Sequence, residues 1–315
     1  MEKLRIVFMG TPEFAVGILD AIIKNNCEVV GVITAADKPA GRGQKLKYSA
    51  VKEYAVANDL HLLQPTNLKD ASFLSELQRL NANLQVVVAF RMLPEIVWKN
   101  PKYGTFNLHA SLLPNYRGAA PINWAIINGE TKTGVTTFFI DDKIDTGAMI
   151  LSKETAINLN ENAGDLHDRL MNLGCETVID TLALIQKGNV ATTLQKETAN
   201  IKTANKLNKD NCKIEWSKSG KEIHDLIRGL SPYPGAWCFF KDKNEAWNVK
   251  IYEAAFHLEN HNISIGTIIS SKKEIKIAVQ DGFVAVLNLQ FPGKKRMKTS
   301  EFVNGMVFSE SAIVS

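Results

Sequence analysis

The stretch Leu4-Arg5-Ile6-Val7-Phe8-Met9-Gly10-Thr11-Pro12 decides the fold of this chain. Its apolar residues predict a buried strand, and Gly10 permits a tight turn directly after it. Thr11 is the expected N-cap of the helix that follows, with Pro12 in the first helical turn. A buried strand, a tight turn and a helix together predict the first βα unit of a parallel sheet.

The same alternation of apolar strands and helices continues along the chain. It predicts further strands at 29–33, 60–63, 85–90, 105–109 and 135–140, and helices at 49–58, 70–80, 122–128 and 163–186. Strands this apolar are usually covered on both faces. The pattern therefore predicts an α/β fold with a doubly wound, mostly parallel, Rossmann-like sheet.

A polar stretch at 187–210, rich in Lys, Thr and Asn, ends this pattern and predicts a linker over the surface of the first domain. Beyond it we predict one helix at 221–229 and short strands at 236–240, 248–254, 266–269, 275–278 and 284–289. Short strands at such spacing are typical of a small antiparallel barrel or sandwich. We expect a first domain at 1–190, a linker at 191–210 and a β-domain at 211–315, which agrees with a length of 315 residues.

Composition excludes several protein classes. Hydrophobic residues make up 45% and charged residues 22% of the chain, which is typical of globular proteins rather than disordered, collagen-like or coiled-coil chains. The net charge of +4 lies in residues 204–315, which hold 16 Lys and Arg against 12 Asp and Glu. The densest run of basic residues is Lys294-Lys295-Arg296-Met297-Lys298. It fits either a solvated surface loop or a site that binds a polyanion.

Several kinds of site and location are also disfavoured. The turn after the first strand lacks the second and third glycines of a dinucleotide-binding motif, so we expect no nicotinamide cofactor. The histidines outside the strand at 105–109 form no clustered ligand set, so we expect no metal. No apolar run approaches the roughly 18 residues of a membrane span, and the four scattered cysteines predict free thiols. We accordingly expect a cytoplasmic protein.

The predicted strand at 105–109 carries the most informative pair of side chains. Asn107 and His109 are two residues apart and therefore point to the same face, at the strand end where open α/β sheets build their sites. An Asn carboxamide can donate to a developing oxyanion, and an imidazole can remove the proton of an attacking amine. The pair suits acyl transfer to an amine, but a strand-end Asn-x-His is also common as a purely structural feature.

An orienting carboxylate for His109 is expected in the loop that follows the strand at 135–140. Asp145 is the best candidate, because Thr146-Gly147 permits a tight turn that holds it inward. Asp141 and Asp142 fit solvation or capping better. The Asp-Thr-Gly run is equally compatible with a simple turn.

These residues belong to a set of motifs that resembles the methionyl-tRNA formyltransferase family along almost the whole chain. The motifs are Phe8-Met9-Gly10-Thr11-Pro12-Glu13-Phe14-Ala15, Lys38-Pro39-Ala40-Gly41-Arg42-Gly43, Asn107-Leu108-His109-Ala110-Ser111-Leu112-Leu113-Pro114, Tyr116-Arg117-Gly118-Ala119-Ala120-Pro121-Ile122, Asp145-Thr146-Gly147, Pro232-Tyr233-Pro234-Gly235-Ala236-Trp237 and Gly293-Lys294-Lys295. The segment at 107–114 is shared with other enzymes that use 10-formyltetrahydrofolate. The loop at 38–43 and the C-terminal module narrow the resemblance to the tRNA enzymes.

The resemblance implies transfer of the formyl group of 10-formyltetrahydrofolate to the α-amino group of methionine on initiator tRNA, a step of translation initiation. Asn107, His109 and Asp145 match the family's catalytic trio, in which Asn107 stabilises the oxyanion and His109, oriented by Asp145, moves the proton. A formyltransferase domain and a C-terminal OB-like β-barrel that binds tRNA are implied as well. We expect a monomer without a membrane partner.

The resemblance also implies binding residues for each substrate. Those implied for folate are Ser111, Leu112, Leu113, Pro114, Phe90, Arg91, Leu93 and Asp141. Those implied for tRNA are Lys38, Arg42, Lys45, Lys47, Lys206, Lys294, Lys295 and Arg296, with Arg42 expected near the terminal base pair.

Two positions depart from the family's pattern. Phe90-Arg91-Met92-Leu93-Pro94 stands where the family has Tyr-Gly and a longer run, so Arg91 either contacts the glutamate tail of the folate or points to solvent. Lys143 stands where glycine is frequent in the aspartate loop. The alternatives are a small-molecule formyltransferase, a formyltetrahydrofolate hydrolase and a non-catalytic RNA-binding protein. The basic loop and C-terminal module argue against the first two, and the intact trio argues against the third.

Overall fold

The computed structural model describes residues 2–40, 45–188, 190–196 and 200–315. Two compact units divide the chain. The sheet unit comprises Met1–Gly118, Thr133–Thr155 and His167–Thr203, and the barrel unit comprises Ala119–Lys132, Ala156–Leu166 and Ala204–Ser315. Because the two units interleave along the chain, the domain boundaries at 1–190, 191–210 and 211–315 stay a prediction.

Strands and helices alternate through the first part of the chain. They are β1 (Arg5–Gly10), α1 (Glu13–Lys24), β2 (Glu28–Ile33), β3 (Lys38–Ala40), β4 (Lys45–Lys47), α2 (Ala50–Ala57), β5 (Leu62–Leu63), α3 (Ala71–Arg79), β6 (Leu84–Val88), α4 (Glu95–Trp98), β7 (Thr105–His109), β8 (Arg117–Gly118), α5 (Pro121–Ile127), β9 (Lys132–Phe139), β10 (Met149–Ala156) and α6 (Ala163–Gln186). Most of the strands form one sheet in the order β10-β9-β7-β6-β1-β2-β5. β1 pairs in parallel with β2 and β6, and β6 with β7, whereas β9 runs antiparallel to β7. The predicted α/β fold with a mostly parallel sheet is confirmed.

The turn after β1 requires glycine. A Cβ at Gly10 would lie 2.5 Å from the Cβ of Ala15 and 3.0 Å from the carbonyl oxygen of Val88. The helix begins one residue later than predicted, because the carbonyl of Pro12 already accepts from the N–H of Ala15 at 3.0 Å. Pro12 is therefore the N-cap of α1, and the assignment of Thr11 to that position is wrong.

β7 and α6 have the predicted bounds, whereas β10 was not predicted. β10 is an edge strand in which only Met149, Ile150 and Leu151 form an apolar run, and the positions after them alternate between exposed and partly buried. It therefore lacks the longer apolar run on which the strand predictions rest.

The C-terminal part of the chain contains the remaining elements. They are β11 (Thr203–Ala204), α7 (Gly220–Gly229), β12 (Ala236–Asp242), β13 (Glu245–Leu258), β14 (Ile268–Ser270), β15 (Ile275–Val279), β16 (Gly282–Gln290), β17 (Met297–Lys298), α8 (Thr299–Phe302) and β18 (Ile313–Val314). The antiparallel sheet has the order β14-β15-β16-β13-β12-β18, and β17 pairs with β16. The N–H of Ile268 donates to the carbonyl of Ala312 at 2.9 Å, and that of Val314 to the carbonyl of Gly266 at 2.8 Å. These bonds join the two ends of the sheet, so the structure is a nearly closed barrel and not a sandwich.

The cysteines are free thiols, as predicted. Cys212 and Cys238 are buried, and Cys27 and Cys175 are partly buried. Burial raises the pKa of the Cys238 thiol to about 12. In the described ranges of the chain, no helix combines the length and apolar character needed to cross a membrane.

Candidate active site

β7 positions the two predicted catalytic side chains. Phe106 and Leu108 are buried on one face of the strand, while Asn107 and His109 project from the other. The His109 side chain is only 7% exposed, and Asn107 is partly buried. Among the described residues, none forms a hydrogen bond with the Asn107 carboxamide, which leaves its N–H groups available to a ligand.

The protonation of His109 follows from its hydrogen-bond partner. Nε2 lies 2.7 Å from the carbonyl oxygen of Tyr116, and a carbonyl oxygen can only accept a hydrogen bond. Nε2 therefore carries a proton, and in the neutral imidazole Nδ1 keeps its lone pair. The N–H of Tyr116 donates to the carbonyl of Lys202 at 2.6 Å, which holds this peptide in place. Sequence reasoning missed the contribution of Tyr116 because it comes from the backbone.

Asp145 faces the other side of the imidazole ring. Its Oδ2 lies 3.8 Å from Nδ1 of His109, which is beyond hydrogen-bond range but within reach of an ion pair. The same oxygen accepts a hydrogen bond from the N–H of Gly118 at 2.9 Å. Asp145 has a φ of 55°, a left-handed conformation that few residues other than glycine adopt. The structure thus places Asp145 beside His109.

Gly147 allows the aspartate loop, residues 141–147, to close. A Cβ at this position would lie 1.7 Å from the carbonyl oxygen of Phe139. Asp141 stabilises the loop from within, because its Oδ1 accepts from the Thr146 hydroxyl at 2.8 Å and from the N–H of Lys143 at 3.1 Å. These bonds agree with the interpretation of Asp141 as a capping residue. The side chain of Lys143, the residue that departs from the family's pattern in this loop, is exposed.

Gln195 joins the aspartate loop to Arg117. Its Nε2 donates to the carbonyls of Asp145 and Gly147, each at 2.9 Å. Its Oε1 accepts from Nη2 and Nε of Arg117 at 2.7 and 3.0 Å. In the sequence, Gln195 belongs to the predicted polar linker, and a glutamine among other polar residues carries no signal that singles it out.

The predicted folate-site motif forms a tightly bonded loop after β7. The buried Ser111 hydroxyl donates to the carbonyl of Asn115 at 2.7 Å. The Thr136 hydroxyl donates to the carbonyl of Ser111 at 2.8 Å and accepts from the N–H of Leu113 at 3.3 Å. The Ser111 hydroxyl and the Leu113 N–H thus form hydrogen bonds that hold this loop. Leu112 and Pro114 lie beside them in the chain and are partly exposed.

Arg91 is bonded to a neighbouring loop. Its Nη1 donates to the carbonyl of Thr66 at 3.0 Å, and its Nη2 donates to the carbonyl of Pro65. The guanidinium also lies 5.6 Å from the centroid of the Phe90 ring. An open groove of about 1100 Å³ lies beside it, with Lys69, Leu93 and Lys99 among its lining residues. Asn107, His109 and Asp145 do not line this groove.

Three of the predicted tRNA-binding residues of the sheet unit, Lys38, Lys45 and Lys47, lie in the paired strands β3 and β4, which form a hairpin. Lys38 and Lys47 are exposed and stand directly opposite each other across the antiparallel pair. Arg42 lies outside the described residues, and only the backbone of Lys45 is described, paired with Ala40. The hairpin therefore presents two opposed like charges.

The predicted tRNA-binding residues of the barrel unit are Lys206, Lys294, Lys295 and Arg296, and all of them are exposed. The Arg296 guanidinium lies 4.6 Å from the centroid of the Tyr252 ring, and its Nε donates to Oδ1 of Asn288 at 3.0 Å. Lys294 lies 5.6 Å from the centroid of the Phe302 ring. Part of the basic run is thus held against the barrel by aromatic and amide partners.

Metal ligands do not cluster in the part of the chain that the structure describes. In those residues, no group of three or more His, Cys, Asp and Glu side chains could hold a metal ion.

Comparison with known proteins agrees with this fold and site. A family model described as "Formyl transferase" matches residues 4–182, and one described as "Formyl transferase, C-terminal domain" matches residues 206–307. One similar solved structure is that of WlaRD, a sugar 3N-formyl transferase, determined in the presence of dTDP and 5-N-formyl-THF. Its sequence is 25% identical, and the two structures match with a TM-score of 0.65 over 94% of this chain and 100% of that one. HypX from Aquifex aeolicus, in complex with tetrahydrofolic acid, is similar in fold, with 17% identity and a TM-score of 0.63 over 96% of this chain and 47% of its own. Fold and site together define a formyl transferase.

Relatives in sequence are more specific. A protein of Flavobacterium johnsoniae named methionyl-tRNA formyltransferase is 74% identical over 314 residues, which cover 100% of both chains. A protein of Bacteroides thetaiotaomicron with the same name is 51% identical over 314 residues, which cover 98% of both chains. The chain belongs to the methionyl-tRNA formyltransferase family. The predicted resemblance, and with it the expectation of a transferase, is confirmed.

Proposed function

We propose that this protein transfers the formyl group of 10-formyltetrahydrofolate to the α-amino group of methionine carried by initiator tRNA. The observation that carries the proposal is the position of His109 between the carbonyl of Tyr116 and the carboxylate of Asp145, in a chain of this family. A buried imidazole with one nitrogen anchored and the other facing a carboxylate is suited to accept and release one proton.

His109 is the general base in this proposal. Nδ1 accepts the proton that the amine loses as it attacks the formyl carbon, while Nε2 stays bonded to the carbonyl of Tyr116. The carboxylate of Asp145, 3.8 Å away, stabilises the imidazolium that forms. Nδ1 then gives the proton to the folate nitrogen as the bond between that nitrogen and the formyl carbon breaks, and His109 ends the cycle neutral.

Asn107 stabilises the negative charge that develops on the formyl oxygen. A carboxamide N–H aimed at such an oxygen lowers the barrier to acyl transfer. Asn107 is suited to this role because no other described residue engages its carboxamide. It also lies on the same face of β7 as His109, about 7 Å away along the strand.

The folate is proposed to bind against the loop after β7. The proposed folate-binding residues are Ser111, Leu112, Leu113, Pro114, Phe90, Arg91, Leu93 and Asp141. The hydrogen bonds of Ser111 and Thr136 support this assignment, because they hold the loop in one shape before a ligand arrives. Leu112 and Pro114 offer apolar surface to a flat ring, and the exposed Arg91 suits an anionic tail.

The tRNA is proposed to contact basic residues of both units. They are Lys38, Arg42, Lys45 and Lys47 of the hairpin region, and Lys206, Lys294, Lys295 and Arg296 of the barrel unit. Like charges at directly opposed positions destabilise a pair of strands. The opposition of Lys38 and Lys47 therefore supports a phosphate as their partner.

A sugar amine, another small amine or water are the alternative acceptors. They are less favoured because this chain carries a basic hairpin and matches a formyl transferase C-terminal domain over 206–307. We further propose that the protein acts as a monomer in the cytoplasm. Light scattering at assay concentration tests the first point, and cell fractionation tests the second.

The decisive experiment supplies each acceptor in turn with 10-formyltetrahydrofolate. The purified protein is incubated with methionine-charged initiator tRNA, methionine-charged elongator tRNA, a dTDP-amino sugar or no acceptor. We expect formyl-methionine on the initiator tRNA and little product in the other reactions. Preferred formylation of the sugar, or equal consumption of the folate without an acceptor, would overturn the proposal.

A further inference from the structure

One side chain outside the predicted trio, that of Gln195, forms hydrogen bonds with both segments that surround His109, with backbone carbonyls of one and with the Arg117 side chain of the other. The segment at 190–196 follows α6, and Thr193 pairs there with Met149 of the edge strand β10 through two backbone hydrogen bonds of 2.9 Å. Gln195, two residues further on, turns its carboxamide toward the aspartate loop and is partly buried.

The carboxamide of Gln195 uses its full hydrogen-bonding capacity. Its two N–H groups donate to the carbonyls of Asp145 and Gly147, and its oxygen accepts twice from Arg117. An amide offers two donors and two acceptor sites. Neither a carboxylate, which has no donor, nor a shorter side chain can make the same set of bonds.

These bonds tie together the two segments that hold His109. The first segment contains Tyr116, whose carbonyl accepts from Nε2, and Gly118, whose N–H holds the Asp145 carboxylate. The second segment is the aspartate loop. Gln195 connects the two through Arg117 on one side and the carbonyl of Asp145 on the other.

The conformation of Asp145 explains why such a connection matters. Its φ of 55° is unfavourable for a residue with a side chain, and such conformations persist only where the surroundings determine them. The Gln195 bond holds the carbonyl of Asp145, in the peptide group directly after this residue. A loop released from it can relax and carry the carboxylate away from Nδ1.

We propose that Gln195 is a positioning residue for the formyl transfer, acting through Asp145 and not through contact with either substrate. The inference rests on the proposed function, because it assigns Asp145 a role in stabilising the imidazolium. Within the segment after α6, this role belongs to the Gln195 side chain alone.

The first test compares Gln195→Ala and Gln195→Glu with the wild type in steady-state formylation of initiator tRNA. Each variant should lower kcat by about 10- to 100-fold, because misplacement of a catalytic group by about 1 Å has effects of this size. KM for the tRNA and for 10-formyltetrahydrofolate should stay within about twofold. Thr193→Ala is the matched control, because the exposed Thr193 contributes only backbone hydrogen bonds. It should retain the wild-type kcat.

The second test is a double-mutant cycle with Asp145→Ala. Gln195→Ala should cost little further activity once the carboxylate is gone, because both changes remove the same interaction. Circular dichroism and thermal melting confirm that each variant is folded at the assay temperature. Full additivity of the two losses, or a raised KM with unchanged kcat, would overturn the positioning role. An inactive wild type would overturn the proposed function as well, whereas an active wild type with a normal Gln195→Ala variant would overturn only this inference.

Discussion

The carboxylate Oδ2 of Asp145 lies 3.8 Å from Nδ1 of His109, on the ring edge opposite the nitrogen that donates to the carbonyl of Tyr116. The ring is therefore oriented by a backbone carbonyl, while the carboxylate contributes its charge from a short distance. The two contributions can be separated by mutation. The carbonyl of Tyr116 belongs to the backbone and stays when side chains are changed, whereas replacing Asp145 removes the carboxylate.

His109→Ala and Asp145→Ala should each lower kcat for tRNA formylation while the fold is retained. Loss of the base is expected to cost about 10²- to 10⁴-fold. Asp145→Asn should be impaired as well, because it keeps the shape but removes the charge that faces Nδ1. Rates come from single-turnover formylation with saturating folate, and near-normal turnover in either alanine variant would contradict the assigned roles.

Asn107→Ala should lower kcat by about 10²- to 10³-fold, the usual effect of removing one oxyanion donor. Asn107→Asp should be at least as severe, because a carboxylate would repel the developing charge. KM for both substrates should change little, because the donor acts mainly in the transition state. A loss confined to KM would indicate a role in binding instead.

Gly147→Ala should disrupt the aspartate loop. Its Cβ would lie 1.7 Å from the carbonyl oxygen of Phe139, so the backbone must move. We expect a lowered Tm together with strongly reduced formylation. Gly305→Ala is the matched control, because its nearest neighbouring atom would be 3.9 Å away. Equal behaviour of the two variants in melting and activity assays would show that the close approach at Gly147 is unimportant.

Acid sensitivity of the barrel unit should depend in part on His224. Burial, together with the nearby charge of Arg228, lowers its pKa from the ordinary 6.5, while Asp225 opposes this shift. The folded state thus keeps His224 neutral at a pH where the unfolded chain takes up a proton. The free energy of unfolding should therefore fall as the pH drops below about 6.5, and His224→Asn should flatten this slope. Urea titrations between pH 7 and 5 measure how the free energy of unfolding changes with pH. His61→Asn, which removes an exposed histidine, is the control.

Salt dependence should report the basic contacts to tRNA. Lys38→Ala, Lys47→Ala and Arg42→Ala should each raise KM for initiator tRNA and reduce the slope of log KM against log salt by up to about one. Folate affinity should stay unchanged. Lys187→Ala removes the same charge from another exposed position and is expected to leave the slope nearly intact. A slope that no hairpin variant changes would argue against the proposed contact.

Local patterns account for the parts of the structure that were predicted well. β7 and α6 have the predicted bounds because each has a strong apolar period of its own. Asn107 and His109 share one face because they belong to the same strand, and Gly10 and Gly147 stand where no Cβ fits. The missed strand β10 shows the limit of this reasoning, because an edge strand needs no continuous apolar run.

The sequence by itself determined the family and the sheet and barrel architecture, and it proposed Asn107, His109 and Asp145 as the catalytic trio, because motifs and periodicity act over a few residues. Only the tertiary structure decided how His109 is held. Its partners are a backbone carbonyl at Tyr116, a carboxylate in a left-handed conformation at Asp145 and, through that residue, the carboxamide of Gln195. Contacts made by backbone atoms and by residues far apart in the chain depend on where the folded segments meet. Local patterns of residue types do not show where that is.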